Sequence, residues 1–248
     1  MRFSISRRAC AEFIGTALLV TAVIGSGIMG ERLAAGNVAI ALLANSVATG
    51  AALVALIASF APISGAHFNP LVTVADTFSG ALAWTDVFPY ILAQFAGGVA
   101  GTLNSHFMFG LPAISLSRHA RNGPAQLYAE IVATFGLVAV ISACAKLNAR
   151  AIPIAIGGYI AAAYWFTSST SFANPAVAVA RCLTDTFAGI RPSDVPGFVF
   201  AEIIGGAAAL LLFRWLNIRA SVQEVAHSSK DHSHAETVSG GDDVVIAN

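Results

Sequence analysis

The dipeptide Asn-Pro occurs twice, at Asn69-Pro70 and Asn174-Pro175, each time inside sequence that is otherwise strongly apolar. Proline is tolerated in the first turn of a helix, where its missing N–H leaves no bond unmade, and asparagine is a favoured N-cap. Each pair therefore predicts the start of a helix whose positive dipole end points at something buried. The apolar stretches that follow, 69–77 and 174–183, are only about half the roughly 20 residues that cross a bilayer's hydrocarbon core. Both are read as re-entrant half-helices.

Composition supplies the setting. The 248 residues are 56% hydrophobic and 10% charged, where a soluble domain carries about 25% charge. The chain reads as a polytopic, all-α membrane protein. Thirteen basic and thirteen acidic residues cancel, which argues against a nucleic-acid partner. Cys10, Cys144 and Cys182 have no paired or metal-ligand spacing, so neither a metal nor another cofactor is expected. The basic segment Met1 to Arg8 precedes an apolar run with no cleavage pattern, and predicts an uncleaved first span. Six stretches qualify as spans: roughly 10–29, 38–60, 87–108, 127–146, 152–167 and 197–216. The segments leading to the half-helices, 61–66 and 167–171, are expected to be non-helical. Such backbone is tolerated at membrane depth only beside protein or a water-filled cavity.

The chain also repeats itself. Ala11-Glu12-Phe13-Ile14 opens the first span and Ala129-Glu130-Ile131-Val132 the fourth. A first repeat over about 8–108 and a second over about 127–216 each hold three spans and a half-helix. An odd number of spans inverts the second copy in the bilayer, so the two Asn-Pro starts meet from opposite faces near the midplane. The channel domain is assigned to 1–219, and the polar remainder, 220–248, to a disordered cytoplasmic tail in which His227, His232 and His234 are solvated. Basic residues are more numerous on the N-terminal side of the spans, placing both termini in the cytoplasm.

Ser64-Gly65-Ala66-His67-Phe68-Asn69-Pro70 and Asn174-Pro175-Ala176 resemble the two signatures of the major intrinsic protein family, the aquaporins and aquaglyceroporins. Ala11-Glu12-Phe13-Ile14-Gly15-Thr16 resembles its first-span motif and Ala93-Gln94-Phe95-Ala96-Gly97-Gly98 its third-span motif. The resemblance implies an aquaporin-like fold of six transmembrane helices and two re-entrant half-helices in an inverted repeat. It also implies a homotetramer in contact with membrane lipid, and passive conduction of water or small neutral solutes.

Asn69, Pro70 and Leu71 with Asn174, Pro175 and Ala176 are then the pore midplane, where the two amides donate to a passing oxygen and the paired positive helix ends oppose cations and protons. Leu71 stands where the family usually has Ala, and is expected to adjust the packing only. By resemblance, Glu12 and Glu130 hold the carbonyl-lined loops, with proton relay the alternative for ionisable groups inside spans. His67 braces its loop, with gating as the alternative reading.

After the second Asn-Pro-Ala most members place Arg; here the residue is Val177. Counting from the two Asn anchors, the other constriction positions are Thr49, Ala162 and Ser171, or Phe172 on a register one residue later. Arg181 lies four residues past Val177 on the same helix face. It either restores positive charge one turn away or serves as an ion pair or cap. Exchanging a guanidinium for an isopropyl group removes five donors and widens the opening, so solutes of glycerol size or larger are expected.

Filters of this kind resemble those of bacterial aquaglyceroporins associated with arsenic resistance. That implies arsenous and antimonous acid, and protonated methylated arsenicals, as further cargo, and residence in a bacterial inner membrane. The rival readings are a water-selective aquaporin, a secondary transporter using Glu12 and Glu130 for coupling, and a non-conducting assembly protein sealed at Leu71. No nucleophile–base pair, phosphate loop or ligand cluster suggests an enzyme.

Overall fold

The computed structural model describes residues 3–216, the side chains of Lys146 and Leu147 excepted; the expected tail, 220–248, lies outside them. Its helices are α1 (Ile5–Leu33), α2 (Val38–Ser64), α3 (Pro70–Phe78), α4 (Trp84–Phe109), α5 (Pro124–Leu147), α6 (Ile152–Phe166) and α7 (Pro175–Arg181). They are followed by α8 over 195–216. Short 3-10 turns, Ala149–Ala151 and Pro192–Asp194, lead into α6 and α8. The described residues thus form six long helices and two short ones, and no strand. Residues up to Leu210 form one compact unit; the chain from Leu211 onward is a second, of which only the end of α8 is described.

Length and hydropathy alone qualify four segments as membrane-crossing: α1, α2, most of α5, and Pro192–Leu216. α6 falls short at 15 residues, and α4 buries Gln94, Thr102, Ser105 and His106 along its length. Most of those polar atoms find partners inside the protein, the Gln94 Oε1 excepted. Thr102 donates to Ala180 O at 3.0 Å, and His106 meets Pro112 O at 2.6 Å and Thr184 Oγ1 at 2.7 Å. On the outer surface, Val47, Phe88, Phe107, Tyr128, Ile154 and Phe200 are exposed, as lipid-facing side chains are.

Where the helices cross, glycine sets the distance. A Cβ on Gly97 or Gly101 of α4 would strike the α1 carbonyls of Phe13 or Ala17, and one on Gly205 of α8 the α5 carbonyl of Ile131. Between α2 and α6, Gly50 and Gly157 face each other's carbonyl oxygens in the same way. Lipid offers no hydrophobic drive for helix association, so close backbone approach of this kind carries the packing.

α2 differs from the expected boundary. It continues through Pro62 to Ser64 and ends on Gly65, at φ 94°. A membrane helix tolerates an internal proline because its neighbours re-satisfy the freed backbone, so the non-helical lead-in is shorter than 61–66.

The connection between α4 and α5 lies against the one that follows α7. Ser115 N donates to Leu183 O and Ser117 N to Cys182 O, both at 3.0 Å, and Arg191 N donates to His119 O at 2.8 Å. Charged anchors add to this. The Arg118 backbone N–H, and then its guanidinium, hold the Asp185 carboxyl below the usual carboxylate range. The Asp194 carboxyl accepts from the Arg191 guanidinium and from the Arg121 N–H, both at 2.9 Å.

Candidate pore

The loops that enter α3 and α7 have the same conformation. Counting back from each asparagine, positive φ falls at Gly65 (94°), Ala66 (53°) and Phe68 (51°), and again at Thr170 (64°), Ser171 (51°) and Ala173 (49°). Left-handed backbone costs a non-glycine residue about 1 kcal/mol or more, and it persists only where the surroundings over-determine it. Buried carboxylates do so here. Glu12 accepts His67 N at 3.0 Å and Phe68 N at 2.7 Å, together with Ser64 Oγ at 2.6 Å and Gln94 Nε2 at 2.8 Å. Glu130 accepts Phe172 N at 2.9 Å and Ala173 N at 2.8 Å. His67 braces the first loop from its side chain, with Nδ1 3.1 Å from Thr73 Oγ1 and Nε2 3.0 Å from Asp76 Oδ2.

The two asparagine caps meet. Asn69 Oδ1 accepts Leu71 N at 2.9 Å, and Asn174 Oδ1 accepts Ala176 N at 3.0 Å. Across the junction Asn69 Nδ2 donates to Ala173 O at 2.7 Å, and Asn174 Nδ2 to Phe68 O at 2.8 Å. A primary amide carries two N–H donors, so each asparagine retains one. Both residues line a cavity. Its lining combines aliphatic side chains, from Leu19, Val23, Leu53, Leu137, Ile156 and Ile160, with residues of the two loops.

The sequence profile described as "Major intrinsic protein" matches residues 1–171. The chain is 55% identical to Aquaglyceroporin AqpS of Rhizobium meliloti (strain 1021) over 214 residues, 86% of this chain and 91% of that one. The chain belongs to the major intrinsic protein family. Another relative, Aquaporin Z of Bradyrhizobium diazoefficiens, is 30% identical over 230 residues, covering 85% and 93% of the two chains. Among solved structures, the X-ray structure of the aquaglyceroporin from Plasmodium falciparum is similar in fold, with a TM-score of 0.61 over 85% of this chain and 94% of that one, at 18% identity. Major intrinsic proteins are membrane channels and not enzymes, and this chain is an integral membrane channel of that kind.

In this major intrinsic protein the cavity is lined by Thr49, His67, Asn69, Ser171, Asn174, Val177 and Arg181 from the set expected from sequence, and by Phe172, the alternative to Ser171. Ala162 is a correction. It lies on the exposed face of α6, and Tyr164 lines the cavity instead, its hydroxyl 3.3 Å from Thr49 Oγ1. Pro70, Pro175 and Ala176 are buried behind the lining. Leu71 also stays out of the cavity and turns toward Gly206 of α8, which leaves room for it.

Arg181 is fully buried, with its guanidinium carbon 3.5 Å from the Phe172 ring centroid and its Nε donating to Ala188 O. A second guanidinium, that of Arg121, approaches the same ring at 5.3 Å. Arg121 is spent on carbonyls, donating to Gly189 O at 2.8 Å, Ser169 O at 3.2 Å and Phe187 O at 3.4 Å; it staples the α7 loop and does not line the cavity.

Four residues that shape the site escaped the reading of the sequence as functional positions: Tyr164, Arg121, Gln94 and Glu202. The last two had a signal. Ala201-Glu202 with Gly205-Gly206 repeats the spacing of Ala93-Gln94 with Gly97-Gly98.

Proposed function

We propose that this channel passively conducts small uncharged solutes bulkier than water, together with water: glycerol-like polyols, arsenous and antimonous acid, and protonated methylated arsenicals. The observation that carries the reading is Val177, an aliphatic side chain on the cavity wall directly after the second Asn-Pro-Ala. A guanidinium there would supply donors and a longer side chain; an isopropyl group supplies no donor and is smaller. The mixed lining supports the same reading. A polyol has a hydrocarbon back and a hydroxyl edge, matching a lining of aliphatic side chains together with the Asn69 and Asn174 amides. Ser171 Oγ, buried and without a partner among the described residues, is a further group for a solute hydroxyl to meet. The naming of the 55%-identical relative as an aquaglyceroporin agrees.

In this reading Asn69 and Asn174 form the midplane contact, and Thr49, Tyr164, Ser171 and Val177 the constriction, with Arg181 one turn beyond. Glu12, Glu130 and His67 support the loops. The channel sits in a bacterial inner membrane as a homotetramer with both termini cytoplasmic. A water-selective pore is the second reading, favoured by Tyr164 closing on Thr49 and by Arg181 near the same end.

Uptake of glycerol and of arsenous acid into vesicles carrying the protein decides between them. Both solutes should enter faster than into empty vesicles. Passage of water alone would leave the second reading standing. No thiol is needed for metalloid passage, since Cys182 is absent from the cavity lining. A Cys182→Ser variant should therefore carry arsenous acid at the wild-type rate.

A further inference from the structure

The α7 loop is held by two carboxyl groups where its counterpart is held by a carboxyl and an amide. Gly97 abuts the carbonyl of Phe13, one residue after Glu12; Gly205 abuts the carbonyl of Ile131, one residue after Glu130. Gln94 and Glu202, three residues before these glycines, therefore occupy equivalent places in the two halves. Gln94 Nε2 donates to Glu12 Oε2 at 2.8 Å. Glu202 has no N–H with which to repeat that bond toward Glu130.

Both carboxyls of the second half are fully buried and hold N–H groups of adjacent residues in the same loop. Glu202 Oε1 accepts Asn174 N at 3.0 Å, while Oε2 is buried without a partner among the described residues. Glu130 has its oxygens on Phe172 N and Ala173 N. The three N–H groups thus come from consecutive residues of one loop. Arg181, at the end of α7, has its guanidinium on Phe172 and its Nε on Ala188 O, with no hydrogen bond to either carboxyl among the described residues. Two adjacent buried carboxylates repel and can offer each other only acceptors. A single proton between them converts the orphaned oxygen into a donor.

We propose that Glu130 and Glu202 share one proton, and that this carboxylic acid positions residues 172–174 as the Gln94 amide positions the α3 loop. Glu202 is thereby a positioning residue for the Asn174 amide. The proposal rests on the loop's place in the pore and is independent of which larger solute passes.

Infrared spectroscopy and osmotic water permeability of the full chain in proteoliposomes test it together. Wild type at neutral pH should show the carbonyl stretch of a buried protonated carboxylic acid, shifted in D2O and lost in Glu202→Gln. That variant supplies the N–H permanently, so its water permeability should stay within about twofold of wild type. Glu202→Leu removes the partner and should lower permeability by about tenfold, since small misplacements of a working group cost on that order or more. Absence of an acid band that Glu202→Gln removes would overturn the proposal, as would loss of conduction in Glu202→Gln. Wild-type conduction in Glu202→Leu would overturn it too. If the leucine variant does not fold, the band and the glutamine variant decide. Glycerol is not part of the readout, so failure of the polyol reading would be seen separately.

Discussion

At the scale of single residues, the pore is a set of buried polar groups with few degrees of freedom left. Glu12 accepts four hydrogen bonds from four different groups while fully buried. Leaving buried donors unmatched costs about 1–3 kcal/mol each. Glu12→Leu should therefore destabilise the protein by about 3 kcal/mol or more, read as a lower Tm of the detergent-solubilised protein. The residues that could be placed from sequence are those counted from a fixed point. Asn69 and Asn174 announce themselves through the following proline, and Val177 is three positions on from an anchor. Ala162 is counted from Asn174 across a loop and a helix end, and the count does not fix which face of α6 it shares. α6 is apolar all round, so nothing in its sequence states which face turns inward. Tyr164, two residues further and about 200° around the helix, is the one on the cavity.

At the scale of helices and loops, glycine contacts and charged anchors set the geometry. Gly205→Leu should push α8 off α5 because its Cβ would meet the Ile131 carbonyl, lowering the yield of monodisperse protein, whereas Gly158→Leu should not, having open space beside it. The loop over 110–123 should behave differently with pH. Asp185, which anchors it through Arg118, is held below the usual carboxylate range. For such groups the stabilisation is fully present above the unfolded value of about 3.9, and is lost as pH falls through the lower folded values. Hydrogen exchange in that loop, corrected for intrinsic rate, should be unchanged from about pH 8 to 5 and rise only below about 4. The half-helices were legible because a proline cannot hide in an apolar run. The end of α2 was not, because Pro62 reads as a terminator while the surrounding helices let the turn continue to Ser64.

For the whole molecule, the inverted repeat is more than a likeness of motifs. The positive-φ residues, the carboxylate contacts to the loops and the glycine crossings recur at matching positions. A fixed junction of this kind, with both loops tied across it by the two asparagine amides, suits a pore and not a rocking transporter. Solute flux should accordingly be unchanged when proton and sodium gradients across the vesicle membrane are collapsed; a fall would favour coupling through Glu12 or Glu130. The pseudo-twofold relation was visible in sequence from Ala-Glu and Asn-Pro alone. The place of Glu202 opposite an amide in the other half was not read, because its meaning depends on Glu130 holding the same loop, 72 positions away in the chain. The most direct test of the central claim compares glycerol and water permeability in proteoliposomes of wild type and Val177→Arg. Wild type should pass both, and the variant should lose glycerol flux by about tenfold while keeping most of its water flux, as a cation narrows the opening. Equal glycerol flux in the two proteins, or none in either, would contradict the account.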